Sequence, residues 1–306
     1  MPGPRQTSTG QTHSLTFPSS SSTTATIKFK TSATLLRTLF PNTSYRFHKT
    51  DTVALASLSV QTLSNLDWLA GGSYDLLALY VHGVEYTTST GEKLSGSYCP
   101  VMFENLTDPI LSGREELGFP KLFSDIHVTT TASDGDGSER GSSGGGKCEA
   151  RISWRGAEWA TFSWSGLKDQ SSPMQADGTT TVTDPKGGAK EEEEEEEEEQ
   201  QGLFVHKCIP SSSLTPHHQE PHLRALDAEY DVFVPSYKLD GGVKKTRTQK
   251  AEHAAFEIKG GLGWEKLPTL QHIVGWMADM PVFEVVETRI VQADGVGDLS
   301  GARRVE

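Results

Sequence analysis

Cysteine is scarce in this chain: only Cys99, Cys148 and Cys208 occur, and no C-x-x-C spacing joins them. Three thiols cannot all pair internally, so a disulfide framework is excluded and a reducing compartment, the cytoplasm, is expected. Long apolar runs are also missing, which excludes a membrane-spanning helix. Residues 1–22 are rich in Ser, Thr, Gly and Pro without an apolar segment, unlike a secretory signal. No basic patch interleaved with aromatics is present, which argues against a nucleic-acid partner. A Gly-x-Ser-x-Gly nucleophile elbow is lacking. Gly260-Gly261-Leu262-Gly263 opens no βαβ unit, so no nucleotide cradle is expected. His217, His218 and His222 sit in a Ser/Thr/Pro-rich loop without helical spacing and read as surface residues, so neither a metal nor a cofactor is expected.

The formal charge of −13 is misleading. Nine of those charges form one run, Glu191 to Glu199; taking them from −13 leaves −4, an ordinary surface. The run has nothing to bury and repels itself, so it reads as a disordered insert. Length allows one large domain or two small ones, and composition marks a flexible tail at 1–24 and inserts at about 132–147 and 168–201.

Between the inserts the chain reads as a succession of strands. Thr52–Thr62, Tyr74–Tyr86, Tyr98–Phe103 and Ile126–Thr131 are followed by a hairpin, Cys148–Trp154 with Glu158–Ser165. Leu203–Ile209, Arg224–Val234, Ala251–Ile258 and Val282–Gln292 continue the series. Helices are expected at Ser32–Phe40, where Pro41 stops the pattern, and at Pro268–Met280, where Leu270, Ile273, Val274 and Met277 form one stripe. Asn65–Ala70 reads as a helical turn, and Ser112–Phe123 as an irregular connection between Pro109 and Pro120. The order predicts an α+β fold, mainly antiparallel β.

That irregular connection carries the most chemistry. It reads Gly113-Arg114-Glu115-Glu116-Leu117-Gly118-Phe119-Pro120-Lys121-Leu122-Phe123. Lys121 stands alone among apolar neighbours. Desolvation disfavours its charged form, and a neutral amine can condense with a carbonyl.

Gly-Arg-Glu followed by an aromatic-Pro-Lys resembles the signature of the acetoacetate decarboxylase family. Leu76–Val81, Tyr98–Phe103, Val205–Pro210 and Met277–Val282 are similar to flanking segments of that family. The resemblance implies one domain at 25–295 with a C-terminal tail at 296–306. It implies a cone-like closed β-barrel with flanking helices and an interior Schiff-base lysine, here Lys121. It also implies a small-molecule carbonyl substrate and assembly into a homo-oligomer.

Three departures qualify what carries over. The family's second lysine is replaced by Leu122, so desolvation by Phe119, Leu122 and Phe123 must act in its place. The family's N-terminal substrate arginine falls near Thr23–Thr26, where there is none; Lys28 and Lys30 are the nearest cations. The family's active-site glutamate aligns loosely with His82, with Glu85 three residues on.

The candidate catalytic residues are therefore Lys121, His82 and Glu85. The candidate pocket residues are Tyr80, Tyr98, Arg114, Glu115, Glu116, Phe119 and Leu122. Strand alternation puts Tyr80, His82 and Val84 on one face and Glu85 on the other, unless a bulge at Gly83 reverses the order. A decarboxylase-like carbon–carbon lyase, with secondary metabolism as a setting, stands first. An aldolase-, dehydratase- or cyclase-type tailoring enzyme and a non-catalytic ligand-binding barrel remain as alternatives. A scaffold acting through the acidic insert ranks last.

Overall fold

Alternation along one strand sets up the two-sided architecture. In β4 (Gly72–Thr87), Leu77, Leu79 and Val81 enter a large apolar core, while Leu76 and Ala78 enter a second, smaller one. A strand covered on both faces needs a nearly continuous apolar run, and Leu-Leu-Ala-Leu-Tyr-Val supplies it. The computed structural model describes residues 5, 9, 11, 19–131, 146–170, 202–210, 226–236, 243–297, 299 and 301–306. Most of both inserts (132–145 and 171–201), together with His217, His218 and His222, lies outside the described residues.

The remaining strands are β1 (Ser21–Ser32), β2 (Tyr45–Phe47), β3 (Val53–Leu66), β5 (Lys93–Glu104), β6 (Lys121–Phe123), β7 (Asp125–Thr131), β8 (Lys147–Trp154) and β9 (Ala157–Asp169). They continue with β10 (Gly202–Pro210), β11 (Leu226–Pro235), β12 (Lys244–Ile258), β13 (Glu284–Asp294) and β14 (Arg303–Val305). All join one sheet in the order β14-β11-β10-β5-β4-β3-β1-β13-β12-β9-β8-β7, with β2 added on β4 and β6 on β5. Pairing is antiparallel except for β5 with β10 and with β6. The α+β, mainly antiparallel expectation matches this order.

Closure does not. The sheet has two ends among the described residues, so a closed cone is not formed by strand pairing. β7 packs against β4 without pairing, because both edges of β4 are already occupied, by β3 and β2 on one side and β5 on the other. The ends of the chain also join the sheet. β1 begins at Ser21, within the stretch read as a tail, and Arg303–Val305 covers the outer edge of β11 by pairing with Asp231–Phe233. An unpaired edge would leave a row of free backbone donors and acceptors.

The helices are short. α1 (Ala33–Arg37) starts where the Ser32 hydroxyl accepts from Leu35 N at 3.3 Å. α2 (Thr107–Ser112) carries Pro109 in its first turn, where no backbone N–H is required. α3 (Gln271–Ala278) puts Val274 and Met277 into the large core. That core also holds Phe29, Phe103, Trp159 and Trp164; the smaller one gathers Leu63, Cys99, Met102, Phe119, Val205 and Val232. No helix among the described residues is long and apolar enough to cross a membrane.

Candidate active site

The Gly-Arg-Glu segment is more regular than its prolines and glycines predict. α2 runs on into a single wider π-type turn, Gly113–Leu117. Gly118 stops it with φ +77°, a left-handed cap that glycine adopts without cost. The chain then returns, with Phe119 N donating to Gly113 O at 3.0 Å and Met102 N to Pro120 O at 3.1 Å. β6 follows, registered so that Lys121 lies beside Met102.

The charged residues of the motif brace this return from outside. Arg114 Nη1 donates to the Lys121 carbonyl at 3.0 Å, and Lys207 Nζ donates to the Glu115 carbonyl at 2.7 Å. Glu116 pairs with Arg5. Arg114, Glu115 and Glu116 are exposed, so they form the outer wall of the loop.

Lys121 points inward. It is the one buried lysine among the described residues, with 9 % of its surface exposed. Its Nζ donates to the Pro109 carbonyl at 3.0 Å and lies 5.6 Å from the Phe119 ring centroid. The strongest contact is with a residue the sequence reading did not single out: Nζ stands 2.8 Å from Oε1 of Glu104, the last residue of β5. Glu104 is completely buried, and neither carboxyl oxygen has a well-directed hydrogen bond among the described residues. Burial pushes its pKa up, opposed by the charge and proximity of Lys121.

The surrounding groups feel the same pair. Burial raises the pKa of both Tyr74 and Tyr80, with the Glu104 charge adding to it. Burial raises the Cys99 thiol to about 12, against the opposing influence of the Val101 backbone and of Lys121. Tyr74, Tyr80 and Cys99 all belong to the smaller core, the face onto which Lys121 projects.

His82 continues this face along β4. Its Nδ1 lies 2.9 Å from Ser97 Oγ and its Nε2 2.8 Å from Ser57 Oγ. Burial lowers its pKa to about 3, helped by Lys28 and Arg289. The neutral imidazole thus sits between two hydroxyls, and a separate hydroxyl pair, Thr26 and Ser59, stands 3.0 Å apart.

Gly83 carries φ +68°, and the β4–β5 register shifts between Val81 and Val84. Val84 and Tyr86 consequently face the large core instead of continuing the His82 face. Glu85 is taken up by Arg46, His48 at 3.6 Å and Lys93 at 3.7 Å. Burial would raise its pKa, but those partners outweigh it and hold the carboxylate low. The carboxylate that meets Lys121 is therefore Glu104, not Glu85. Tyr98 packs edge-on against Phe40 and tilted against Tyr45 in the large core, and Leu122 packs against that same core. Lys121, Phe119 and Tyr80 thus share one neighbourhood, with His82 further along its face; Glu85, Tyr98 and Leu122 lie elsewhere. One signal for Glu104 was available. It is a lone charge ending the run Cys99-Pro100-Val101-Met102-Phe103, two residues on from inward-facing Met102.

The family model for acetoacetate decarboxylase matches residues 1–264. The chain belongs to the acetoacetate decarboxylase family. Solved structures share the fold at low identity. The enduracididine biosynthesis enzyme MppR in complex with pyruvate superposes with a TM-score of 0.58 at 14 % identity, covering 94 % of this chain and 89 % of that one. Acetoacetate decarboxylase from Legionella pneumophila gives 0.57 at 13 %, covering 97 % and 91 %. An acetoacetate decarboxylase-like enzyme from Sphingomonas wittichii RW1 gives 0.54 at 14 %, covering 98 % and 97 %. No curated protein sequence matches the chain. Membership of the acetoacetate decarboxylase family thus rests on the family model, and the structures add the shared fold.

Proposed function

We propose that this chain is a Schiff-base lyase acting on a keto or β-keto substrate, with Lys121 as its nucleophile. The observation that carries the reading is the placement of Lys121: a buried amine at the end of the family's Gly-Arg-Glu…Phe-Pro-Lys motif, aimed into the smaller core. A neutral amine there adds to the substrate carbonyl and, with loss of water, gives an iminium. The iminium draws electrons from a bond two atoms away, so carbon dioxide or another group leaves and an enamine remains. Reprotonation and hydrolysis return the ketone and the free amine.

The absence of an arginine at Thr23–Thr26 favours a second version of the same chemistry, a tailoring step on a larger or less charged keto substrate. The likeness in fold to MppR, an enzyme of enduracididine biosynthesis, is compatible with that version.

Borohydride reduction of the protein in the presence of a ketone is the deciding experiment. A secondary amine at Lys121, found by peptide mass analysis and lost in Lys121→Ala, is the expected result. Lys121→Ala retaining full activity or ligand affinity would favour the reading in which Lys121 is only structural.

A further inference from the structure

We propose that Glu104 is the proton carrier for Lys121: the buried carboxyl takes the proton of the ammonium and returns it during condensation. The inference rests on the Schiff-base reading and adds a second catalytic residue to it. Three observations lead to it. Glu104 Oε1 is 2.8 Å from Nζ, close enough for direct proton transfer. The carboxyl is completely buried, and Oε2 has no partner among the described residues, which is costly unless the group is used. Burial also raises its pKa, so the protonated form that a carrier must adopt is accessible.

The steps balance. The ammonium of Lys121 gives a proton to Glu104, leaving an amine and a carboxylic acid. The amine attacks the carbonyl carbon, the C=O pair moves to oxygen, and a proton shifts from nitrogen to that oxygen to give a neutral carbinolamine. Glu104 then donates its proton to the hydroxyl, which leaves as water while the nitrogen lone pair forms the iminium. The pair ends as iminium and carboxylate, with the charge it began with.

The ionisable groups facing this pair are Tyr74 and Tyr80 from β4 and Cys99 from β5. Burial raises both tyrosines and the thiol, which removes those three groups as the source of a pH dependence of amine reactivity near neutrality.

The test uses pentane-2,4-dione, a neutral diketone that condenses with a free amine to an ultraviolet-absorbing vinylogous amide. Adduct formation is followed against pH in the full chain and in its Glu104→Gln, Glu104→Asp and Lys121→Ala forms. Glu104→Gln should slow condensation at neutral pH by about 10²-fold or more, the range of general acid–base effects. It should also displace the acid limb of the profile, with Glu104→Asp partly restoring the rate. Glu104→Gln reacting at the wild-type rate with an unchanged profile would overturn the proposal and leave the Schiff-base reading standing. No adduct on the wild-type chain, with Lys121→Ala equally inert, would overturn both. If both Glu104 variants fail to fold, infrared difference spectra of the wild-type chain decide. Condensation to a neutral adduct must leave a protonated carboxyl band, and its absence rejects the carrier.

Discussion

Gly113 lies directly against the stem of Lys121. A Cβ at position 113 would stand 2.6 Å from both Cδ and Nζ of the lysine, and closer still to Cε. The backbone there has φ −64°, which any residue adopts, so the glycine is needed for space and not for its torsional freedom. The motif's first residue is thus explained by its last.

Gly113→Ala should therefore leave the fold intact and displace the amine. Overpacking of this kind costs about 1–3 kcal/mol. A misplacement of about 1 Å can cost about 10²-fold in rate. The expected result is a modest drop in urea midpoint with a much larger fall in ketone trapping. Unchanged trapping would mean that the lysine reaches its substrate by another path.

His82 makes acid stability testable. Its folded pKa of about 3 lies below the unfolded value, so the unfolded chain binds the extra proton. The stability linked to the neutral imidazole is complete above about pH 6.5 and falls as the pH drops toward 3. Between pH 7.5 and 5 this one group should cost the wild-type protein about 1–2 kcal/mol. His82→Gln, which can still bond to Ser57 or Ser97, should flatten that part of the profile. Chemical denaturation at the two pH values measures it, and an equally steep variant would show that His82 protonates without penalty.

Asp231 offers a test on the opposite face of β10 and β11. It is almost fully buried and receives Tyr45 Oη at 2.7 Å and Asn42 Nδ2 at 2.9 Å, with His206 Nδ1 2.8 Å away. Burial pushes its pKa up, yet those three partners outweigh it and hold the carboxylate below its usual range. Its contribution is present above the unfolded carboxylate pKa and is lost as the pH falls through the folded one. Asp231→Ala leaves three donors unpaired and should cost about 3–5 kcal/mol at pH 7, the range for breaking a buried charged network. Lys121 trapping in the surviving folded fraction should be unaffected, and a parallel loss of trapping would join the two faces functionally.

Most of the strands along the chain, though not β1, and the motif were legible because each has a local cause. Leu76–Val81 is apolar on both faces, and Phe-Pro-Lys follows Gly-Arg-Glu within a few residues, so near-neighbour patterns carried both. What escaped depends on pairing between distant segments. Whether β7 closes the sheet is decided by which edges of β4 are free, and strand pattern alone does not show that. The partner of Lys121 escaped likewise: Glu104 meets it only because β6 pairs parallel to β5 at Met102. The bulge at Gly83 was readable as a condition, and it turns Val84 and Tyr86 into the large core; Glu85 stays out of the site because β2 pairs there and brings Arg46 to it.

Leu122 provides the last test, because family resemblance and geometry disagree about what a lysine there would do. Resemblance treats Leu122→Lys as restoring a pair of adjacent cations. In β6, however, successive side chains point to opposite faces, so Lys121 enters the smaller core while Leu122 packs against the larger one. A lysine at 122 would push its stem into apolar packing and send its ammonium away from Nζ of Lys121. The expected outcome is a loss of about 1–3 kcal/mol from the displaced packing. The pH profile of Lys121 condensation should keep its wild-type shape, since Glu104 stays in place. A lower-pH onset of condensation in Leu122→Lys would show that the second cation reaches across the strand, and that the buried carboxyl is not what governs the amine.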